Sequence, residues 1–360
     1  MKRRKAKVIK IGDICIGGEY PVAIQSMAKT KTSDVAQTVK QINSLERFGC
    51  EIIRVAVKDG QDARAVKKIK AQTRLPLVAD IHFDYRLALQ AIDNGADKIR
   101  LNPGNIFREK EIREVVRALK ISGLPLRIGV NSGSLGGMES KRSALPDRLA
   151  ESALDYIRKI ERLSFYDLVI SLKGSNVPDT VRAYRKIAAE CDYPLHLGVT
   201  ATGTPYAGAL KSSIAIGSLL LEGIGDTIRI SLTDQPAQEI KAAKIILESL
   251  SLREFGPRII SCPTCGRCEV DLTKVVRDLE RKLSTIPDCR QAGTIPLKVA
   301  IMGCVVNGPG EAKEADLAVA FGKKEGLFFR KGKAIKKIPY SGCADYLLRE
   351  IIEASVRRHT

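Results

Sequence analysis

Along its first two-thirds, this chain switches repeatedly between two hydrophobic periods. Short apolar runs fall at residues 22–26 (VAIQS), 52–57 (IIRVAV), 76–81 (PLVADI), 97–102 (DKIRLN), 126–131 (LRIGVN), 167–172 (DLVISL), 194–199 (PLHLGV) and 226–232 (DTIRISL). Runs this short, rich in valine and isoleucine, predict buried strands. Between them lie stretches such as VAQTVKQINSLERFG, REKEIREVVRALKIS and RLAESALDYIRKIERL, whose apolar residues recur three and four apart. That spacing predicts amphipathic helices. Strands alternating with helices imply a parallel sheet, because parallel neighbours need a crossover. Eight such units make a TIM (β/α)8 barrel the expected architecture. An open doubly wound sheet is the competitor, but no G-x-G-x-x-G follows the first strand.

The alternation stops near SLREFGPR (251–258), where Gly256 and Pro257 end the last barrel helix. The expected division is a TIM-barrel substrate-binding domain at 1–253 and a small α+β domain at 254–360. The second part reads as three strands (LKVAIM, DLAVAF, GLFFRKG) and two helices, at 270–284 and 343–356.

Polar residues collect at or just past the C-terminal ends of the barrel strands, where such barrels place their active sites. They include Gln25, Ser26, Arg54, Asp80, His82, Arg100, Asn102, Arg127, Asn131, Lys173, Ser175, Thr200, Arg229 and Ser231. An arginine inside an apolar strand is costly unless it is paired or faces a ligand. Asp80 or Asp226 can pair with one of Arg54, Arg100, Arg127 and Arg229, but four arginines exceed the nearby carboxylates. The excess points to a doubly charged anion such as a diphosphate. His196, mid-strand, reads as a hydrogen-bonded core histidine.

Composition narrows the class. The chain has 360 residues, a net charge of +19 and 44% hydrophobic residues. It has no apolar run long enough to cross a bilayer, and Lys10 and Asp13 interrupt the N-terminal apolar stretch, so no secretory signal is expected. Nine cysteines without such a signal fit a reducing compartment, and the expected location is cytoplasmic. The positive charge suits nucleic acid or a small anion. With aromatics at 5% and no tryptophan, stacking platforms for single strands are scarce. The basic segments MKRRKAK and FRKGKAIKK therefore read as solvated surface, with neither nucleic acid nor membrane as partner.

The strongest chemical signal is in the C-terminal part. Cys262 and Cys265 form a C-x-x-C turn in SCPTCGRC, and Cys304 and Glu311 lie in the glycine-rich MGCVVNGPGEA. Soft thiolates select zinc, copper(I) or iron–sulfur clusters. Three cysteines with a carboxylate describe a reactive cluster with one replaceable oxygen ligand. The alternatives are a zinc ribbon completed by Cys268, Cys289 or Cys343, and an all-cysteine cluster that includes Cys268. A second C-x-x-C pair, usual in zinc ribbons, is missing.

Barrel, anion ring and cysteine loops together resemble the 4-hydroxy-3-methylbut-2-enyl diphosphate synthase family, nearly end to end. The motifs are PVAIQSM, VADIHFDYR, IRLNPGNI, RIGVNSGSL, LHLGVT, EGIGDTIRISL, SCPTCGR and GCVVNGPGEA. The resemblance implies a [4Fe–4S] cluster held by Cys262, Cys265, Cys304 and Glu311. It implies that Arg54, Arg100, Arg127, Asn131, Lys173 and Ser231 bind the substrate diphosphate, and that Glu311, Asp80 and His82 serve catalysis. The implied substrate is 2-C-methyl-D-erythritol 2,4-cyclodiphosphate, the implied electron donor ferredoxin or flavodoxin, and the implied assembly a head-to-tail homodimer. Two residues depart from the family pattern. Ala201 stands where the family reads T-E-A-G, and Cys268 is an extra cysteine, taken as a bystander. The competing reading is a basic zinc-ribbon protein that binds or modifies RNA.

Overall fold

A feature absent from the predicted strands comes first. Ile9–Ile11 (β1) and Ile14–Ile16 (β2) pair as an antiparallel hairpin. It packs Ile9, Ile11 and Ile16 against Ala23, Ile52, Val78 and Val169, forming an apolar floor. In this computed structural model the described residues are 2–135, 144–174, 176–200, 203–285, 297–306 and 308–357. Ser175, Ala201 and Cys289 lie outside them. The chain divides into two units, Met1–Arg253 and Glu254–Thr360.

The first unit is the expected barrel. Its strands are Ala23–Met27 (β3), Ile52–Val57 (β4), Leu77–Ile81 (β5), Lys98–Leu101 (β6), Leu126–Asn131 (β7), Leu168–Lys173 (β8), His196–Leu197 (β9) and Thr227–Ile228 (β10). The parallel sheet runs β8-β7-β6-β5-β4-β3-β10-β9, and a parallel bridge from Ile170 to Leu195 links its two ends. The last two strands are shorter than the sequence pattern suggests. Pro194 has no N–H to give the ladder and Gly198 follows directly after Leu197, and both residues weaken strand pairing. The crossover helices begin at side-chain caps such as Asp34, Asp59 and Asn176, which satisfy backbone N–H groups left over in the first turn.

Strand side chains alternate between faces, so the floor residues fix which positions point inward. Two residues after Ala23, Ile52, Val78 and Val169 come Gln25, Arg54, Asp80 and Ser171. The register sets Lys98 beside Val78, Arg100 beside Asp80 and Arg127 beside Arg100. The interior thus changes from apolar to ionic within one layer.

The N-terminal arm is part of the barrel rather than a free basic tail. Arg3 pairs with Asp226 at 2.8 Å, Arg4 donates to the Cys191 carbonyl at 2.7 Å, and both arginines are half-buried. Asp226 also accepts from the Leu195 N–H at 2.8 Å. Asp226 is therefore not a partner of the arginine ring, because the arm and a backbone amide already occupy it.

The second unit is a sheet of Arg258–Ser261 (β11), Lys298–Met302 (β12), Leu317–Phe321 (β13), Glu325–Arg330 (β14) and Lys333–Pro339 (β15), in that order. The first three strands are parallel and the last two antiparallel. Helices Leu272–Thr285 and Cys343–Arg357 bring Leu279, Leu347 and Ile351 against Val299, Ile301, Phe321 and Phe328. A short helix, Gly308–Lys313, brings Ala312 to Ala300, Met302, Ala318 and Ala320 on the other packed cluster. The sequence pattern misses β11, β15 and this helix. FRKGKAIKK reads as solvated surface because β15 is an edge strand, exposed except at Ile338, and lysines on an edge discourage further pairing. GPGEAK reads as loop, yet a proline in the first turn loses no helix hydrogen bond. Among the described residues no helix is long and apolar enough to cross a membrane.

Candidate functional site

Inside the barrel, buried cations outnumber carboxylates. Arg54, Lys98, Arg100, Arg127 and Lys173 are all buried, and Arg229 is nearly so, with 14% of its side chain exposed. Asp80 pairs with Arg100 at 2.9 Å and with Arg54 at 3.6 Å. Glu239, from helix Pro236–Ser249, lies 3.7 Å from Arg229 and 3.1 Å from Lys29. It also accepts from the Leu232 N–H at 3.1 Å. Arg127 keeps Nε and Nη1 buried without a hydrogen-bond partner among the described residues.

Local sequence makes room for these groups. A Cβ at Gly129 would sit 2.6 Å from Arg100 Nε, so only glycine leaves the guanidinium its seat. The Gly129 carbonyl accepts from Arg100 Nη2 at 3.0 Å. Gly198 opens the same kind of space, since a Cβ there would lie 3.3 Å from Lys173 Nζ.

The electrostatics follow from burial and crowding. Burial alone would raise the Asp80 carboxyl, but Arg54, Arg100 and Arg127 overcome it and hold Asp80 well below the usual carboxylate range. Burial pulls Arg54 down to about 10, with Asp80 opposing. Lys173 falls well below an ordinary lysine through burial, then through Arg54, Arg229, Arg127 and Arg100. Burial first, then Arg127, Lys173, Lys98 and Arg54, pull His196 well below an ordinary histidine, and its Nδ1 lies 2.7 Å from Thr227 Oγ1.

Other sequence candidates separate by role. Gln25 is buried with both side-chain polar atoms lacking partners among the described residues, and Nδ1 of half-buried His82 is in the same state. Asn131 and Ser231 are half-buried near the strand ends. Asn102 caps its own turn through Gly104 N–H at 3.1 Å, and Thr200 donates to the Gly174 carbonyl at 3.1 Å. Sequence reasoning missed Glu239, Lys29 and Lys98. Glu239 sits on an amphipathic helix with no local signal. Lys98 carried one, a lysine two positions before Arg100 on the same strand face.

In the second unit, Cys262 follows β11 and Cys304 follows β12, two parallel neighbours. The Gly303 N–H donates to Cys262 Sγ at 3.3 Å, a kind of bond that tunes cluster thiolates. Gly303 cannot carry a side chain, because its Cβ would run into Cys268 Sγ. Cys265 is exposed, and hydrogen bonds from the backbone and side chain of Arg267 lower its thiol. Cys304 adds its own charge interaction with both. Cys268 donates to the Val270 carbonyl at 3.2 Å. Glu311 is exposed on the short helix. Among the described residues no three His, Cys, Asp or Glu side chains gather as a ready metal site. The soft thiol donors and the Gly303 amide suit an iron–sulfur group in kind.

Comparison with known proteins covers both units. Residues 6–244 match the GcpE TIM-barrel domain and residues 258–353 the GcpE protein C-terminal domain. A protein of Caldanaerobacter subterraneus subsp. tengcongensis is 52% identical over 351 residues, covering 97% of each chain. One of Clostridium perfringens is 50% identical over 353 residues, covering 98% of this chain and 99% of its own. Both are named 4-hydroxy-3-methylbut-2-en-1-yl diphosphate synthase (flavodoxin). Among solved structures, Yersinia pestis dihydropteroate synthase superposes with a TM-score of 0.52 at 11% identity, over 68% of this chain and 98% of that one. That likeness speaks for the barrel fold alone.

Proposed function

Because the chain belongs to the GcpE family of 4-hydroxy-3-methylbut-2-en-1-yl diphosphate synthases, we propose that its ring of buried cations holds the substrate diphosphate and its cysteine loops hold the iron–sulfur group. The chain is an oxidoreductase of isoprenoid biosynthesis. Its reaction opens 2-C-methyl-D-erythritol 2,4-cyclodiphosphate and reduces it by two electrons, with loss of water, to 4-hydroxy-3-methylbut-2-enyl diphosphate. One observation carries the assignment of the ring: Arg127 is buried with guanidinium N–H groups that have no partner among the described residues, while Asp80 is taken by Arg54 and Arg100. Such a set lacks an anion of more than one charge.

The residues do most of their work before the substrate arrives. Asp80 remains ionised, so it acts as a positioning carboxylate that holds the Arg54 and Arg100 forks in place. Forks fixed in advance bind phosphate oxygens bidentately with little reorganisation. Lys173 places its amine beside Gly198, Asn131 and Ser231 supply hydrogen bonds, and Gln25 offers an amide with no partner among the described residues. His82 Nδ1, which also has no partner among the described residues, is open to a hydrogen bond with the substrate. Clamping the diphosphate fixes the ring carbon–oxygen bond that breaks, and that positioning lowers the barrier.

Cys262, Cys265 and Cys304, with Glu311 as an oxygen ligand, would hold a [4Fe–4S] cluster. When bound, such a group supplies electrons one at a time. Cys268 has its own acceptor in the Val270 carbonyl and is left out of the ligand set. The relatives' names carry flavodoxin, which supports that donor over ferredoxin, and a chain of net charge +19 suits an acidic partner. A homodimer is the proposed assembly, which sedimentation of the loaded protein tests. The zinc-ribbon RNA-binding alternative finds no support in the comparisons.

Anaerobic turnover of the cyclodiphosphate with reduced flavodoxin, alongside iron and sulfide analysis, tests this reading. Product formation by a brown, iron-loaded protein is expected. A colourless zinc protein without turnover contradicts it.

A further inference from the structure

Lys98 lies below the ring and has no part in the reading above. It is wholly buried (0% exposed) and pairs in register with Val78, a residue of the apolar floor. Its Nζ has no hydrogen-bond partner among the described residues. A charged amine in such a place needs a counter-charge, and the interior carboxylate, Asp80, is committed to Arg54 and Arg100. Among the described residues, the charged and titratable groups around the barrel interior are Arg54 on β4, Asp80 on β5, Arg100 on its own strand, Arg127 on β7, Lys173 on β8 and His196 on β9. Arg229 and Glu239 stand at the rim, and the Tyr184 hydroxyl is spent on the His196 carbonyl. Guanidinium groups keep their protons, so crowding among these cations is relieved at an amine.

We propose that Lys98 stands as a neutral amine in the free barrel and takes a proton from solvent when a diphosphate enters the ring above it. This rests on the reading that the ring holds the diphosphate. The step is a simple protonation: the amine lone pair accepts one proton from the buffer and becomes an ammonium, and no bond of the substrate changes. The driving force is the reversal of the local field. In the free barrel, burial first and then Arg127 and Arg54 disfavour the charged amine. An entering anion offsets those arginines and favours the charged form. Lys98 is thus a positioning residue, which adds positive charge beneath Arg127 only once the anion is present. The free barrel is spared a further uncompensated buried charge.

The test is anaerobic calorimetry of the full-length, cluster-loaded protein with the cyclodiphosphate and no reductant. Titrations in two buffers of different ionisation enthalpy near pH 8 give affinity and net proton uptake together. Wild-type protein is expected to take up about one proton per site on binding. Lys98→Met and Lys98→Gln should both lose that uptake while still binding, more weakly. Binding without proton uptake in wild type overturns this inference and leaves the ring reading standing, and this arm needs no variant. Unchanged uptake in folded Lys98 variants also overturns it, assigning the proton to Lys173 or His196. No binding at all overturns the ring reading and this inference with it.

Discussion

The two functional regions are built in opposite ways. In the barrel, Arg54, Asp80, Arg100, Arg127 and Lys173 are placed by strand register. Asp80 and Arg100 are neighbours because β5 and β6 pair there, and Gly129 holds the seat of Arg100 open. In the second unit, Cys265 and Glu311 are exposed, and the thiols do not gather as a ready site among the described residues. Strand pairing and burial alone bring the proposed anion ring together. The second offers its proposed donors on loops, and metal sites of that kind are commonly coupled to local ordering.

The sharpest way to break that contrast is at the thiols. Cys262→Ser, Cys265→Ser and Cys304→Ser should each lose most bound iron and all turnover, whereas Cys268→Ser keeps both. Iron and sulfide analysis decides it, and iron loss on changing Cys268 would draw that thiol into the ligand set. Next in size is Asp80→Asn, which leaves two buried arginines without their carboxylate. Breaking a buried pair this way costs roughly 3–5 kcal/mol, read as a lower denaturation midpoint that saturating diphosphate partly restores. Because the folded Asp80 carboxyl is depressed, its stabilisation is present above the unfolded value of about 3.9 and is lost only as pH falls through the folded value. A wild-type barrel that loses stability between neutral pH and about 5 through this group would contradict the pairing.

Arg100→Lys or Arg127→Lys keeps the charge and loses the fork, weakening substrate binding by about 1.5–3 kcal/mol per lost charged hydrogen bond. Unchanged affinity in both would make these arginines structural. Lys98→Met has the smallest effect and the opposite sign. Unfolded lysine binds a proton up to about pH 10.4, while buried Lys98 releases it lower, so between those values the unfolded chain holds more protons. Stability of the free protein therefore rises with pH in that window. Lys98→Met should flatten that rise and stabilise the free protein at neutral pH. Denaturant midpoints across the window measure it, and a destabilised variant with an unchanged slope would count against a neutral Lys98.

The barrel strands and their polar ends are legible in the sequence because period-two alternation carries both. What alternation omits is partnership. Asp226 looks like a ring carboxylate, yet Arg3 and the Leu195 amide claim it. Glu239 reaches Arg229 from a helix with no local signal. The hairpin floor escapes notice because its strands span three residues each. In the second unit the reverse holds. Cysteine spacing announces the chemistry, while β11, β15 and the helix at Gly308–Lys313 are hidden by short length, edge lysines and a proline.

If diphosphate capture belongs to the barrel, as proposed, it survives the loss of a thiolate. Equilibrium binding of the cyclodiphosphate to the folded Cys304→Ser chain, measured anaerobically by calorimetry, tests it most directly. A dissociation constant within about threefold of wild type, under 1 kcal/mol, is expected, with turnover abolished. Binding lost along with the iron would contradict it.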